Sequence, residues 1–350
     1  MNSAWILDSP RLHLGHLPTP LVLLERLTAQ LRGPRIWLKR DDCTGLATGG
    51  NKTRKLEYLL AEARKSDADL VVTFGAVQSN HARQTAAACA ALGLPCHLVL
   101  SRRVRWQHPG YESSGNVLLD RLLGAEIHLT DRDQVADTTR ALLTDLRAAG
   151  HRPYVIPAGG SNATGALGYA RCALELAQQS TALGLTLTQV MHASSSAGTQ
   201  AGLVAGFAGL FQDRQGPDQR PVPLVHGINV YEPDPETLAA NVLRLANQVL
   251  DEKVPGARVT DGDIHVDHRY FGQDYGIPTA ETLEAIRLLA RTEGVLLDPV
   301  YSGKGFSGLI DRVRLGEFDG TEDLVFIHTG GTASLGVYET AFDAPRNGNL

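Results

Sequence analysis

Apolar segments of strand length alternate with helix-like segments along almost the whole of this 350-residue chain. Several of the strand-like segments, 67–77 and 324–328 among them, are nearly continuous apolar runs, which is typical of strands buried on both faces of a parallel sheet. The alternation therefore predicts an α/β protein of two domains, or one large unit, with helices on both faces of its sheets. Predicted strands lie at 35–39, 67–77, 96–100, 125–130, 154–157, 188–194 and 324–328, and long helices at 234–251 and 279–293.

The charge and cysteine content exclude several classes of protein. The chain has 33 Lys and Arg against 38 Asp and Glu, and it contains no basic run that would suit nucleic acid or an anionic membrane. No apolar stretch approaches the ~20 residues of a membrane helix, and the N-terminus does not resemble a signal peptide. The four cysteines form neither a metal-binding pair nor a disulfide framework. We expect a cytoplasmic protein with no metal, no membrane and no nucleic-acid partner.

A glycine-rich segment at 48–51 precedes Lys52 at the predicted start of a helix. Lys52, Arg54 and Lys55 crowd a helix end that normally prefers acidic residues. One interpretation is a solvated, slightly unfavourable helix start. The other is a lysine whose pKa is lowered by cationic neighbours, so that its neutral amine can attack an aldehyde. The local pattern leaves both open.

Ser79 and Asn80 follow a buried strand and open an alanine-rich helix. Open α/β sheets bind ligands beyond the carboxyl ends of their strands, so this junction is a candidate site. Ser79 is equally suited to capping the helix, and the local pattern alone favours capping.

A third junction of strand, small polar loop and apolar helix spans 193–202. Backbone N–H groups at a helix start, with hydroxyls beside them, can hold a phosphate. Ser196, Ala197, Gly198 and Thr199 are the predicted cradle, and the alternative is a serine-rich turn with a helix cap.

Taken together, these motifs resemble the fold-type II pyridoxal-phosphate enzymes. Within that family they are most similar to the branch that holds 1-aminocyclopropane-1-carboxylate deaminase, D-cysteine desulfhydrase and L-cysteate sulfo-lyase. The resemblance covers nearly the whole chain, through segments 16–20, 39–42, 49–56, 78–80, 157–162, 166–169, 197–202, 298–301 and 328–331.

The resemblance implies a tryptophan synthase β-like fold with two doubly wound parallel-sheet domains. A large domain that binds pyridoxal 5'-phosphate would comprise residues 1–52 and 166–350, and a small mobile domain residues 53–165. The family's members are usually homodimers that act on small amino acids.

The resemblance also implies roles for individual residues. Lys52 matches the lysine that holds the cofactor covalently, Asn80 the residue that bonds the phenolic oxygen of the ring, and residues 196–199 the phosphate cradle. Ser79 matches a serine beside the substrate that moves a proton or binds the carboxylate. The remaining expected site residues are the active-site tyrosines Tyr275 and Tyr301, and two hydroxyl residues at the pyridine nitrogen, Ser302 and Thr329.

One departure from the deaminase pattern bears on the reaction. The deaminase carries Glu after the tyrosine of its DPVY motif, where this chain has Ser302. A carboxylate keeps the pyridine nitrogen protonated and the ring a strong electron sink, whereas a hydroxyl leaves the nitrogen largely neutral. Opening a cyclopropane should need the strong sink, and expelling a sulfur group from the β-carbon should not.

We therefore expect a lyase that deaminates D-cysteine or L-cysteate by β-elimination to pyruvate, ammonia and sulfide or sulfite. The alternatives are 1-aminocyclopropane-1-carboxylate deaminase and a non-catalytic protein that binds the cofactor or an amino acid. Ser195 and the stretch 102–111 are unusual for the family, and either could alter the substrate pocket.

Overall fold

The computed structural model describes residues 3–212 and 221–343, so residues 1–2, 213–220 and 344–350 of the predicted large domain lie outside the described residues. The α/β class is confirmed: strands and helices alternate and form two sheets. Among the described helices, none is long and apolar enough to cross a membrane.

The larger sheet has six strands in the order β1-β2-β10-β7-β8-β9, and all neighbours are parallel except β1 and β2. The smaller sheet has four parallel strands in the order β5-β4-β3-β6. The strands are β1 (Leu21–Leu23), β2 (Arg35–Lys39), β3 (Leu70–Ala76), β4 (Cys96–Arg102), β5 (Glu126–Asp131), β6 (Pro153–Ile156), β7 (Leu187–Ser194), β8 (Leu224–Asn229), β9 (His265–Asp267) and β10 (Asp323–Ile327).

All seven predicted strands are confirmed to within a few residues at each end, and both long predicted helices are present as α9 and α10. The helices are α1 (Ala4–Leu7), α2 (Glu25–Leu31), α3 (Lys52–Lys65), α4 (Asn80–Leu92), α5 (Asn116–Leu122), α6 (Val135–Ala148), α7 (Ala163–Leu183), α8 (Gly198–Phe211), α9 (Pro235–Lys253), α10 (Ala280–Glu293) and α11 (Ser302–Arg314). Strands β1, β8 and β9 were not predicted, because β1 and β9 have three residues each and β8 is interrupted by His226 and Gly227.

Glycines allow α7 and α8 to pack closely in the hydrophobic core that they share with the six-stranded sheet. A Cβ atom at Gly202 of α8 would lie 2.2 Å from the carbonyl oxygen of Ala166 in α7. One at Gly206 would lie 2.8 Å from the Cα of Ala170. Since real Cβ atoms do not approach backbone this closely, larger residues would push α8 away. The contact fixes where α8 begins, and α8 begins at the phosphate loop predicted from the sequence.

A buried ionic network joins the start of α3 to the six-stranded sheet. The Arg54 guanidinium donates hydrogen bonds to Asp41 at 2.8 Å and to Glu175 of α7 at 3.0 Å. Burial raises the pKa of each acid, but the charge of Arg54 and its hydrogen bonds outweigh burial and leave both pKa values below the ordinary range. Lys39 of β2 also binds Glu175. The first turn of α3 is therefore held beside the C-terminal end of β2.

Replacing Arg54 with Met should destabilise the cofactor-free protein by about 3–5 kcal/mol, because two buried carboxylates would lose their main partner. Urea unfolding followed by circular dichroism measures the change. Arg314→Met is the matched control. Its pair with Glu284 is about half exposed, so the expected change is below ~1 kcal/mol.

The effect of Arg54→Met should depend on pH in one direction. The folded-state pKa values of Asp41 and Glu175 are lowered, so the stabilisation is complete above the unfolded values near ~4 and is lost as the pH falls below them. The difference between wild type and variant should therefore shrink below about pH 4. A difference of undiminished size at pH 3 would contradict an ionic origin.

Candidate active site

One pocket lies where loops after the strands of both sheets meet. It is lined by the start of α3, the junction of β3 and α4, the loop between β7 and α8, and the residues after β10. Carboxyl ends of parallel strands are the usual ligand-binding edge of such sheets. The pocket brings together most of the sequence-predicted site residues: Lys52, Ser79, Asn80, Ser196, Ala197, Thr199, Tyr275, Tyr301 and Thr329. Gly198 and Ser302 are not part of the lining.

Lys52 is the first residue of α3, and its Nζ atom donates a hydrogen bond to Asn51 Oδ1 at 2.8 Å. Burial and, second, the charge of Arg83 lower its pKa to about 8, against a smaller opposing effect of Asp298. The cation whose charge lowers the pKa of Lys52 is thus Arg83 of α4, which lies outside the helix of Lys52. A substantial fraction of Lys52 is a neutral amine near neutral pH, and this is the form that attacks an aldehyde.

Ser79 and Asn80 occupy the junction between β3 and α4. Ser79 caps α4, since its Oγ accepts a hydrogen bond from the Ala82 N–H at 3.1 Å, and it also lines the pocket. The two interpretations of Ser79 are therefore compatible. The Asn80 Oδ1 atom accepts from Asn116 Nδ2 at 3.0 Å. Its own Nδ2 group donates to no described residue, so it is available to donate to a phenolic oxygen.

The loop before α8 has the chemistry that a phosphate needs. Ala197 has a φ of +65°, and no side chain of the described residues caps α8. The Gly198 N–H donates to the Ser196 carbonyl at 2.8 Å, whereas the N–H groups of Thr199 and Gln200 have no backbone partner among the described residues and can donate to a ligand. The hydroxyl groups of Ser196 and Ser161 hydrogen bond at 2.8 Å. A Cβ at Gly198 would lie 2.7 Å from Ser161 Oγ and 2.9 Å from Lys55 Nζ, so glycine keeps this space open.

Lys55 is a site residue that the sequence reasoning did not assign to the phosphate. Its Nζ donates to the Gly159 carbonyl at 3.0 Å and to Ser161 Oγ at 3.4 Å, and no carboxylate contacts it among the described residues. Burial and, second, the charge of Lys52 hold its pKa well below the ordinary value. A buried amine without an acidic partner among the described residues fits a phosphate group, whose negative charge would favour the protonated form of the amine. The available signal was its spacing of three residues from Lys52, which places both on one helix face.

Tyr275 and Tyr301 meet in the pocket through a hydrogen bond between their hydroxyl groups. Burial is the main cause that raises the pKa of both phenols well above the ordinary value, so both stay protonated at neutral pH. The pair can pass a proton between its oxygens, but neither residue supplies a phenolate.

Ser302, which is predicted to lie at the pyridine nitrogen, makes its shortest hydrogen bond with Asp298. Its hydroxyl group donates to Asp298 Oδ2 at 2.6 Å, and it is fully buried. The Asp298 carboxylate also accepts the N–H groups of Val300, Tyr301 and Ser302 at the start of α11. Asp298 is therefore occupied by the backbone. Of the predicted hydroxyl pair, Thr329 alone lines the pocket, and among the described residues no Asp or Glu does.

His81 lines the same pocket as a neutral imidazole. Thr73 Oγ1 donates to the Ile156 carbonyl, so it accepts from His81 Nε2 at 2.8 Å, and the proton is placed on Nε2. Burial, followed by the charges of Lys52 and Lys55, keeps the pKa of His81 well below the ordinary value. Its Nδ1 atom is buried and has no hydrogen-bond partner within the part of the chain that the structure describes.

Comparison with known proteins agrees with this geometry. A family model described as "Pyridoxal-phosphate dependent enzyme" matches residues 12–330. A D-cysteine desulfhydrase of Serratia proteamaculans is 44% identical over 334 residues, which is 94% of this chain and 96% of the relative. A 1-aminocyclopropane-1-carboxylate deaminase of Burkholderia ambifaria is 42% identical over 345 residues, or 97% and 98% of the two chains. A crystal structure described as an ACC deaminase homologue has a TM-score of 0.84 at 34% identity and covers 98% of each chain. The predicted fold is confirmed by this similarity.

The lowered pKa of Lys52 makes a kinetic prediction. Uptake of pyridoxal phosphate by cofactor-free protein should accelerate with pH and level off above about 8, because only the neutral amine reacts. Stopped-flow absorbance measures the rate, and an ordinary lysine would still accelerate above pH 9. Borohydride reduction followed by peptide mapping should place the cofactor on Lys52. A labelled peptide elsewhere in the chain would contradict the assignment.

Proposed function

Because the chain belongs to the family of pyridoxal-phosphate-dependent enzymes, we propose that it is a carbon–sulfur lyase acting on a small cysteine-like amino acid. The substrate is D-cysteine or L-cysteate, and β-elimination followed by hydrolysis gives pyruvate, ammonia and sulfide or sulfite. The 44% identity to a D-cysteine desulfhydrase supports this class of reaction.

The observation that carries the proposal is the absence of any acidic side chain from the lining of the pocket within the described residues. Bound pyridoxal phosphate supplies an electron sink, whose strength depends on protonation of the ring nitrogen. Of the residues predicted at the ring nitrogen, Thr329 lines the pocket with its hydroxyl group. The oxygens of the nearby Asp298 carboxylate already accept hydrogen bonds from Ser302 and from backbone N–H groups. A weak sink suits expulsion of a sulfur group that departs with its own electron pair.

Each catalytic residue then has a task that its surroundings permit. Lys52, as a neutral amine, is the base for the Cα proton. The N–H groups of Asn80 and His81 at the start of α4 have no backbone partner among the described residues, and with Ser79 they receive the substrate carboxylate. Tyr275 and Tyr301 shape the pocket and move protons as neutral phenols.

Several expectations from the sequence belong to the same proposal. They are the division into a large domain (1–52 and 166–350) and a small mobile domain (53–165), the homodimer, and the cytoplasmic location. The strands of the four-stranded sheet all lie between residues 70 and 156, which supports the division. Ser79 and Asn80 then belong to the small domain and the phosphate cradle to the large one, so closure on a substrate would exclude water.

A second candidate function is 1-aminocyclopropane-1-carboxylate deaminase, which the 42% identity to the Burkholderia ambifaria enzyme favours. The missing pocket carboxylate argues against it. A non-catalytic binding protein is disfavoured by the intact set of Lys52, Ser79, Tyr275 and Tyr301.

A substrate panel separates these functions. Purified protein with cofactor is incubated with D-cysteine, L-cysteine, L-cysteate, D-serine and the cyclopropane amino acid. We expect pyruvate from at least one sulfur amino acid and little or no 2-oxobutyrate from the cyclopropane. Efficient release of 2-oxobutyrate would favour the deaminase, and no keto acid from any substrate would favour the binding protein.

Ser79→Ala should leave cofactor binding intact and lower kcat/KM by about 10²–10⁴-fold, the range for a residue that positions or moves a proton. Because Ser79 also caps α4, a stability loss of ~1 kcal/mol should accompany it. Thr279→Ala is the control, since Thr279 caps α10 in the same way at 3.2 Å but does not line the pocket. That variant should lose similar stability with near-normal turnover. Equal kinetics in both variants would remove Ser79 from the catalytic residues.

A further inference from the structure

Arg103 is a cation in the pocket that the proposed reaction does not yet use. It follows the last residue of β4 and belongs to the unusual stretch 102–111. Its guanidinium group donates a hydrogen bond to the Tyr231 hydroxyl and lies 4.8 Å from the centre of the Tyr231 ring and 5.7 Å from that of Tyr275. Two aromatic rings therefore hold the group at the pocket wall, and no carboxylate pairs with it in the part of the chain that the structure describes.

The negative charges of the phosphate and of the substrate carboxylate already have partners in the proposed site. The phosphate has Lys55 and the start of α8, and the substrate carboxylate has the start of α4. His81 is neutral. Since no acidic side chain lines the pocket among the described residues, Arg103 is a surplus positive charge in the pocket that Lys52 also lines. A cation in a partly buried pocket without a fixed anion favours a ligand that brings a second negative charge.

We propose that Arg103 binds an anionic group on the β-carbon of the substrate, and that the substrate is an amino acid with a β-sulfonate, as in cysteate, rather than a β-thiol. This inference rests on the proposed function and chooses between its two substrates. A guanidinium presents paired donors in a planar fork, which suits the oxygens of an oxyanion and offers little to a neutral thiol.

The position of Arg103 also suits the bond that breaks. The Cα proton goes to the base, the Cβ–S bond breaks, and its electron pair leaves with sulfur, so the departing sulfite carries one more negative charge than the sulfonate did. A fixed guanidinium stabilises that growing charge. Overall, the cysteate anion and water give hydrogen sulfite, pyruvate and ammonium, with no oxidant or reductant required.

Two other roles for Arg103 make different predictions. If it bound the α-carboxylate, its loss would weaken every amino-acid substrate equally. If it only packed against Tyr231 and Tyr275, its loss would lower stability without changing the preference among substrates.

The test compares cysteate with β-chloroalanine, which eliminates a group that carries no charge before the bond breaks. In Arg103→Gln, the ratio of kcat/KM for cysteate to that for β-chloroalanine should fall about 10- to 100-fold, as expected for a lost charged hydrogen bond. The ratio for Arg103→Lys should lie between those of the wild type and Arg103→Gln, because lysine keeps the positive charge but lacks the planar pair of donors. The matched control is Arg105→Gln, an exposed arginine two residues further on that does not line the pocket, and its ratio should not change.

Calorimetry on the holoenzyme gives a second readout that needs no turnover. Arg103→Gln should weaken binding of 3-sulfopropanoate about 10-fold or more relative to propanoate. The inference would be overturned if Arg103→Gln lost kcat/KM equally for cysteate and β-chloroalanine. It would also be overturned if the ratio of the two values stayed unchanged while the melting temperature fell. If wild-type protein releases no pyruvate even from β-chloroalanine, the proposed function fails, and the calorimetric comparison still decides the role of Arg103.

Discussion

The buried contact of Arg54 with Asp41 and Glu175 determines where the reactive lysine lies. Arg54 belongs to the first turn of α3. Of its two acidic partners, Asp41 follows β2 and Glu175 lies within α7. A buried guanidinium is costly unless both its charge and its donors are satisfied, so this turn can occupy one position against the sheet. Lys52 and Lys55 are carried on the same turn. The Lys52 amine is therefore directed into the pocket, and the Lys55 amine toward Gly159 and Ser161, by an interaction outside the pocket lining.

This first turn also explains how three cations can share a helix end that disfavours them. The surroundings accommodate the positive charge of each residue in a different way. Arg54 is paired with acids, Lys52 has its pKa lowered to about 8 by burial and Arg83, and Lys55 faces the phosphate loop with neutral partners. The unfavourable helix end is thus resolved by the two ion pairs of Arg54 and by two amines whose charge depends on what the pocket binds.

How far the sequence predicts this structure depends on the range of the interactions involved. Strands such as 324–328 were predictable because their apolar runs are local, and Lys52 and Ser79 because their motifs lie at junctions of strand and helix. The role of Ser302 at the pyridine nitrogen stays a prediction, and its hydrogen bond to Asp298, four residues earlier, could not be read from the motif. Arg103 could not be assigned at all, since its place against Tyr231 depends on a contact across 128 residues.

The pocket is assembled from both sheets, and so is its charge. Lys52 and Lys55 come from the helix anchored to the six-stranded sheet, whereas Arg103 extends from β4 of the four-stranded sheet. With no acidic side chain in the lining among the described residues, a positive charge on Lys52 or Lys55 is disfavoured by burial and by repulsion from a neighbouring cation until an anion lies beside it. An anionic ligand that contacts both sides gains affinity and removes that repulsion in one step. Under the proposed division into a large and a small mobile domain, charge balance would therefore couple recognition of the substrate to closure of the pocket.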